Sequence, residues 1–381
     1  MGDGVSRSLI PLMAEAVTRS PAAVGLVQAS ARLPWLLVAL PVGYLVDSRG
    51  YRSTSIAALV VKVGAAGALI LAGMLASVPL LAAAAFLVVS AEVAFDTSVH
   101  GSVVYLLSSQ DRTRGNSALY SWQATTGQFL GPGLGGLLFA PLRYLAPLVS
   151  ASMHAAALVP LAAGRPVPRR PRTGAVAQES LRAALLSGFR PLFADRGLRW
   201  TTLIGTISML AYGLWTSTFV SYVTTRAGID QPAWVFGVLM ACPAIGAVGV
   251  GFIAVRLVRR FSAFAGVVGL VVGQTFLFLP ALAHAGPTGL GLGLAVYGAS
   301  LGLWNSGVLA YRQAHVVPEL YGRATAAYRV TSWGASPLGA LLGAAVLSSG
   351  SVSVSFAIGA ALVLMQAAVI PGAAPLISYR G

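Results

Sequence analysis

The chain has 381 residues, 56% of them hydrophobic and only 9% charged, against roughly a quarter charged in an ordinary soluble domain, so a soluble fold is excluded. A net charge of +15 would raise nucleic-acid binding in a soluble protein, but here the arginines fall in alternate loops between apolar stretches, as the orientation rule for cytoplasmic loops predicts. The single Cys242 sits in an apolar run, which excludes an intramolecular disulfide and gives redox chemistry no support.

A spanning helix needs about 20 mainly apolar residues, so twelve would use roughly 240 positions and leave short loops. Residues Met1 to Ala16 form a weak apolar segment carrying Asp3 and Arg7, too short to cross the bilayer, and read as the second half of a span. Apolar spans follow at 22–46, 53–75, 79–107, 115–139 and 143–163. A polar, arginine- and proline-rich linker covers 164–198, and further spans run at 199–225, 232–256, 262–284, 286–314, 322–348 and 352–372. The expected fold is an all-α membrane protein of twelve helices in a 6+6 arrangement with its first helix incomplete. Its N-terminal half is 1–163 and its C-terminal half 199–381. Placing the loop after residue 46 in the cytoplasm puts most arginines inside and only Arg19, Arg143 and Arg226 outside, with linker and both ends cytoplasmic in a multi-pass cell-membrane protein. The halves echo each other: Asp111-Arg112 and Glu319 to Arg323 each precede a span with a Gly and Pro cluster, Gly131-Pro132 in one and Pro337 with Gly339 in the other.

Gly43-Tyr44-Leu45-Val46-Asp47-Ser48-Arg49-Gly50-Tyr51-Arg52 resembles the G-x-x-x-D-R-x-G-R-R signature of the major facilitator superfamily, with Ser48 in the usual first-arginine place. The resemblance covers essentially the whole chain and implies a gate motif of Gly43, Asp47, Arg49, Gly50 and Arg52. In it Asp47 would sit against a helix end near Gly322, a contact worth about 0.3 to 1 kcal/mol when exposed and up to ~2 when partly buried. Gly127-Gln128-Phe129-Leu130-Gly131-Pro132-Gly133-Leu134-Gly135-Gly136 is similar to the G-x-x-x-G-P-x-x-G-G pattern of antiporters and drug exporters in that superfamily. Its glycines Gly127, Gly131, Gly135 and Gly136 offer a smooth face for another helix, and Pro132 permits a bend. Arg32 to Trp35, Pro318 to Arg323 and Tyr328-Arg329 with Trp333-Gly334 resemble the macrolide-efflux and enterobactin-exporter branch, which implies proton-driven efflux of a bulky organic molecule.

Glu92 and Asp96 lie four residues apart, on one face of the span at 79–107. An acid at the bilayer centre costs about 2.5 to 3.5 kcal/mol, so two on adjacent turns demand a role. Burial and mutual repulsion both raise carboxylate proton affinity, which makes this pair the candidate for proton coupling. Arg32, Arg312, Arg329 and Asp3 are possible charge partners, and a fixed salt bridge is the structural alternative. Lys62 is expected to snorkel or pack at the periphery, and His154, His284 and His315 to stand alone near span ends, with His100 the one histidine placed for a relay. Tyr212, Trp215, Phe219 and Tyr222 recur at helical spacing and, with Tyr297, Trp304 and Asn305, form the candidate substrate cavity; packing or interfacial roles are the alternative.

No metal-ligand spacing, P-loop or nucleophile elbow occurs, so no cofactor is expected and the chain does not read as an enzyme. The leading function is proton-coupled efflux of a small organic compound by a monomer in contact with membrane lipid. The alternatives are uptake or facilitated diffusion of a metabolite on the same fold, and a non-transporting membrane sensor or assembly factor.

Overall fold

The structure is a computed structural model that describes all residues except 19, 107–118, 120, 121, 165–180, 252, 318, 319, 321–323, 326, 350 and 379–381. Among the described residues the regular elements are all helical. The first is α1 (Gly2–Val17), followed by α2 (Pro21–Arg32), α3 (Pro34–Leu37), α4 (Ala39–Arg49), α5 (Tyr51–Met74) and α6 (Val78–Leu106). Then come α7 (Gly131–Leu142), α8 (Pro147–Ala163), α9 (Leu181–Ala194), α10 (Arg196–Thr224), α11 (Ala233–Gly251) and α12 (Ala254–Phe261). The last are α13 (Phe264–Leu282), α14 (Pro287–His315), α15 (Ala335–Leu347) and α16 (Val352–Ala368).

Seven helices among the described residues are long and apolar enough to cross a membrane, and up to nine if each of two bent pairs is one span. Several other apolar stretches fold as interrupted helices, and the breaks have local causes. The stretch at 22–46 splits at Leu33, beside Pro34, and at Val38, three residues before Pro41, because proline cannot donate to the helical ladder. Thr125–Leu145 and Pro147–Ala163 meet at a bend of 103°, where Arg143 takes φ 46° and Pro147 starts the next helix. The final span bends by 47° after Ala368 into a 3₁₀ segment, Ile370–Ile377, that contains Pro371 and Pro375. The span expected at 232–256 stops at Gly251, and Arg256, Arg259 and Arg260 belong to the separate α12.

The echo between halves extends to helix distortion. A π-helical stretch, Gln123–Leu130, leads into Pro132, and another, Arg329–Trp333, precedes Pro337. A π-turn shifts the hydrogen-bond register by one residue, which accommodates the donor that proline lacks.

Proximity groups the chain into two compact units: Met1–Arg169 with Thr216–Ala241 and Ala340–Val352, and Arg170–Trp215 with Cys242–Gly339 and Ser353–Gly381. In the first, α1 packs against α7 and α8, and small residues set the approach. Gly4 lies against the Gly127 carbonyl and Gly131, Gly136 against Gly237, and Gly25 against Ala344. The second unit has an apolar core that includes Leu198, Val267, Trp304, Val308, Tyr311 and Tyr328. Burying large side chains here contributes packing that lipid alone cannot supply.

Candidate functional site

Several ionised side chains of the first unit meet on α1. Arg7 donates to Glu92 Oε1 at 2.5 Å. Asp3 Oδ1 lies 2.6 Å from Lys62 Nζ and 3.1 Å from His154 Nε2. Gln123 Nε2 donates to Asp96 Oδ1 at 2.7 Å, and Ser221 donates to Glu15 near the other end of α1. Hydroxyls close the same face: Ser6 and Ser150 share a 2.9 Å hydrogen bond, and Ser150 donates to the Gly2 carbonyl at 3.0 Å.

Depth follows from position along each helix. Lys62 sits at the centre of the 24-residue α5, ~17 Å from either end at ~1.5 Å per residue, and its side chain is 1% exposed. His154 is central in the 17-residue α8. Lys62 and His154 thus meet halfway along their helices, and in a spanning helix a charge at that place needs a partner. Lys62 has two, Asp3 and the ring of Phe95 at 4.7 Å.

This geometry corrects two expectations. Lys62 does not snorkel to the periphery: it is buried in an ion pair, because Asp3 on α1 reaches it more closely than any interface could. His154 does not stand alone near a span end, since the bend at Arg143 makes α8 a separate helix with His154 at its centre. The sequence did hold a signal for the first. Lys62 is the chain's single lysine, while arginine supplies every other basic side chain in the 25.

The candidate acids differ in environment. Glu92 is buried and tied to Arg7, whose side chain is 46% exposed, while Asp96 is half-buried beside Gln123. Of the charge partners considered, Asp3 joins Lys62 and His154. Arg312 lies buried over the Tyr328 ring at 3.7 Å, Arg329 lies over Trp333 at 5.6 Å, and Arg32 is half-buried on α2. Glu15, which sequence reasoning passed over, adds a further acid on α1.

In the gate motif, Gly50 takes φ 84° between α4 and α5, a conformation that favours glycine. Arg52 donates from Nε to the Leu161 carbonyl at 3.0 Å and from a terminal nitrogen to the Ala162 carbonyl at 2.9 Å. It thereby caps the C-terminal end of α8, where carbonyls lack helical partners and a cation is favoured. Arg49 is exposed. The side chains of Asp47 and His100, the surroundings of Gly43, the region near Gly322 and the loop 111–116 lie outside what the structure describes.

The glycine-proline motif is a packing surface at Gly131, Gly135 and Gly136, whereas a Cβ at Gly127, expected on the same face, would meet nothing within 4 Å. A Cβ at Gly131 would stand 2.6 Å from Gly4 Cα, and one at Gly135 2.7 Å from the Val5 carbonyl oxygen. One at Gly136 would stand 2.5 Å from Gly237 Cα. The aromatic residues divide. Tyr212 stacks on Trp215 at 5.9 Å and on Tyr297 at 6.0 Å between ring centroids. Phe219 packs against Phe236 at 6.0 Å and, like Tyr222, is buried in the first unit. Trp304 lies in the core of the second unit, and Asn305 is exposed.

A family model described as Major Facilitator Superfamily matches residues 1–340. No curated protein matches the chain. Among solved structures, an aspartate-to-alanine mutant of the nucleoside transporter NupG gives a TM-score of 0.73 at 14% identity, covering 98% of this chain and 96% of that one. Unmutated NupG gives 0.68 at 12% identity, covering 97% and 96%. The human organic anion transporter MFSD10 (TETRAN) gives 0.66 at 16% identity, covering 97% and 96%. At these identities the likeness is one of fold.

Proposed function

Because the chain belongs to the major facilitator superfamily, whose members are membrane transporters and not enzymes, we propose that it exports a small organic compound in exchange for protons, by alternating access. The observation that carries this reading is the set of titratable groups brought together on and around α1: Asp3, Arg7, Lys62, Glu92 and His154, with Asp96 beside Gln123. Each charge in the hydrocarbon layer costs about 2.5 to 3.5 kcal/mol on insertion scales, and a scaffold without transport gains nothing from that cost.

Glu92 and Asp96 are the proposed coupling pair. Asp96 faces the Gln123 amide, which can donate to a carboxylate or accept from a carboxylic acid and so tolerates a change of protonation. Glu92 is held by Arg7, so protonating Glu92 would release the guanidinium. The glycine-proline motif supports export over import, because it lays the helix that follows Gln123 directly on α1, which carries Asp3 and Arg7. Tyr212, Trp215 and Tyr297 form the proposed aromatic contact for substrate. In this reading the chain is a monomer of the cell membrane with its linker and both ends in the cytoplasm.

The test is proton release from reconstituted protein on adding macrolides, other amphipathic drugs and catecholate chelators. The parent is expected to release protons with at least one of these and Asp96→Asn to lose most of that response. An Asp96→Asn variant that couples as well as the parent would overturn the assignment, and a parent silent to every compound would overturn efflux of this class.

A further inference from the structure

We propose that His154, with Asp3 and Lys62, forms a second proton site that sets how tightly α1 is held, a proposal that rests on the proton-coupled reading. Asp3 is the meeting point. One of its oxygens takes both the Lys62 ammonium at 2.6 Å and the His154 Nε2 at 3.1 Å. His154 is 6% exposed, and its Nδ1 is buried with no hydrogen-bond partner among the described residues.

Asp3 on α1 touches the imidazole directly. The other charges on the helices packed against α8 are the Met1 amino group, Arg7 and Glu15 of α1 and Arg52 and Lys62 of α5, while α8 carries no charged residue besides His154 itself. Arg7 and Glu92 neutralise each other at 2.5 Å, and the Met1 amino group points to Thr126 at 3.5 Å. With a neutral imidazole, Asp3 and Lys62 cancel, His154 donates its Nε2 proton to Asp3, and the buried Nδ1 lone pair has no partner among the described residues.

A proton passed from hydronium to Nδ1, leaving water behind, changes this balance while the other bonds of the cluster stay as they are. Imidazolium and ammonium then share one carboxylate in a medium of low dielectric, and the new Nδ1 proton has no acceptor. The strain falls on Asp3, and α1 relieves it by moving away from α5 or from α8. Histidine suits this role because its ordinary pKa of about 6.5 lies inside the physiological range, which those of carboxylates and lysine do not. Movement of α1 would carry Arg7 with it and so change the environment of Glu92, which links the two sites.

The experiment needs no substrate. Proton uptake by the purified full chain in detergent is measured with an indicator dye between pH 8 and 5.5, with hydrogen exchange of the Gly2–Val17 amides followed over the same range. His154→Gln keeps a donor toward Asp3 and removes the titration, so it is expected to take up about one proton fewer than the parent and to lose the acid-dependent loosening of α1. Lys62→Gln removes the competing cation and is expected to raise the midpoint of that uptake by about one pH unit or more, a shift that a merely structural cluster would not produce. Equal uptake by His154→Gln overturns the proposal. If that variant does not fold, an unmoved midpoint in Lys62→Gln overturns it instead. Normal uptake together with silence in the compound panel would overturn the efflux reading alone.

Discussion

Alanine at the glycines of 127–136 is expected to have opposite effects at neighbouring positions. Carbon atoms pack at ~3.5 to 4.0 Å. A Cβ at Gly131 would stand 2.6 Å from Gly4 Cα and 2.8 Å from both the Gly4 carbonyl carbon and the Met1 carbonyl oxygen. At Gly136 it would stand 2.5 Å from Gly237 Cα and 2.9 Å from Gly237 N. These are overlaps with backbone, which cannot rotate away, so the helices must separate. Overpacking of this kind costs about 1 to 3 kcal/mol, and the better helix propensity of alanine returns only about 0.5 to 1 kcal/mol. At Gly133 the same Cβ meets nothing within 4 Å, so only the propensity gain remains. Two positions two residues apart should therefore differ by about 1 to 3 kcal/mol for one substitution. Thermal unfolding of Gly131→Ala, Gly133→Ala and Gly136→Ala in detergent reads this as a lowered, unchanged or raised, and lowered midpoint. If Gly133→Ala is as damaging as Gly136→Ala, the glycines are not a packing surface and the reasoning fails.

Arg52→Gln removes the cation that caps α8 and should destabilise its last turn by about 1 to 2 kcal/mol, seen as faster hydrogen exchange at the C-terminal end of Pro147–Ala163 with α1 unaffected. Arg7→Gln leaves Glu92 without its guanidinium. Loss of one partner of a fully buried pair costs about 3 to 5 kcal/mol, and the exposure of Arg7 lowers this to about 1 to 3 kcal/mol. In a double-mutant cycle with Glu92→Gln the two losses should not add. Additive losses would show that the pair carries no coupling energy.

Hydropathy alone reveals the membrane class and the approximate spans, because the bilayer forces each crossing into a long apolar run. The two motifs and the costly acids Glu92 and Asp96 were visible for the same reason. The partners were not. Arg7 meets Glu92 across 85 residues of sequence, and His154 meets Asp3 across 151, so no local spacing encodes either pair. Aromatic periodicity misled differently: Phe219 and Tyr222 lie on the same helix as Tyr212 and Trp215, but they belong to a different compact unit. A 3.6-residue repeat gives a face, and it does not say which neighbour that face meets.

The weakest apolar segment in the sequence carries a dense set of polar interactions among the described residues, and the two facts have one cause. α1 reads as weakly hydrophobic because it spends positions on Asp3, Ser6, Arg7, Ser8 and Glu15, and each of these contacts a group on another element or the helix's own backbone. Between them lie Gly4 and Val5, which bring its backbone against the Gly127 carbonyl, Gly131 and Gly135. Glycine contacts slide at little cost because no side chain must change rotamer, whereas ion pairs have preferred partners and resist displacement. A helix that combines the two can shift on a smooth surface, yet it is held by charges whose state depends on protons. Removing Lys62 from the pair with Asp3 should therefore change the mobility of α1 more than that of α5, although the substitution lies on α5.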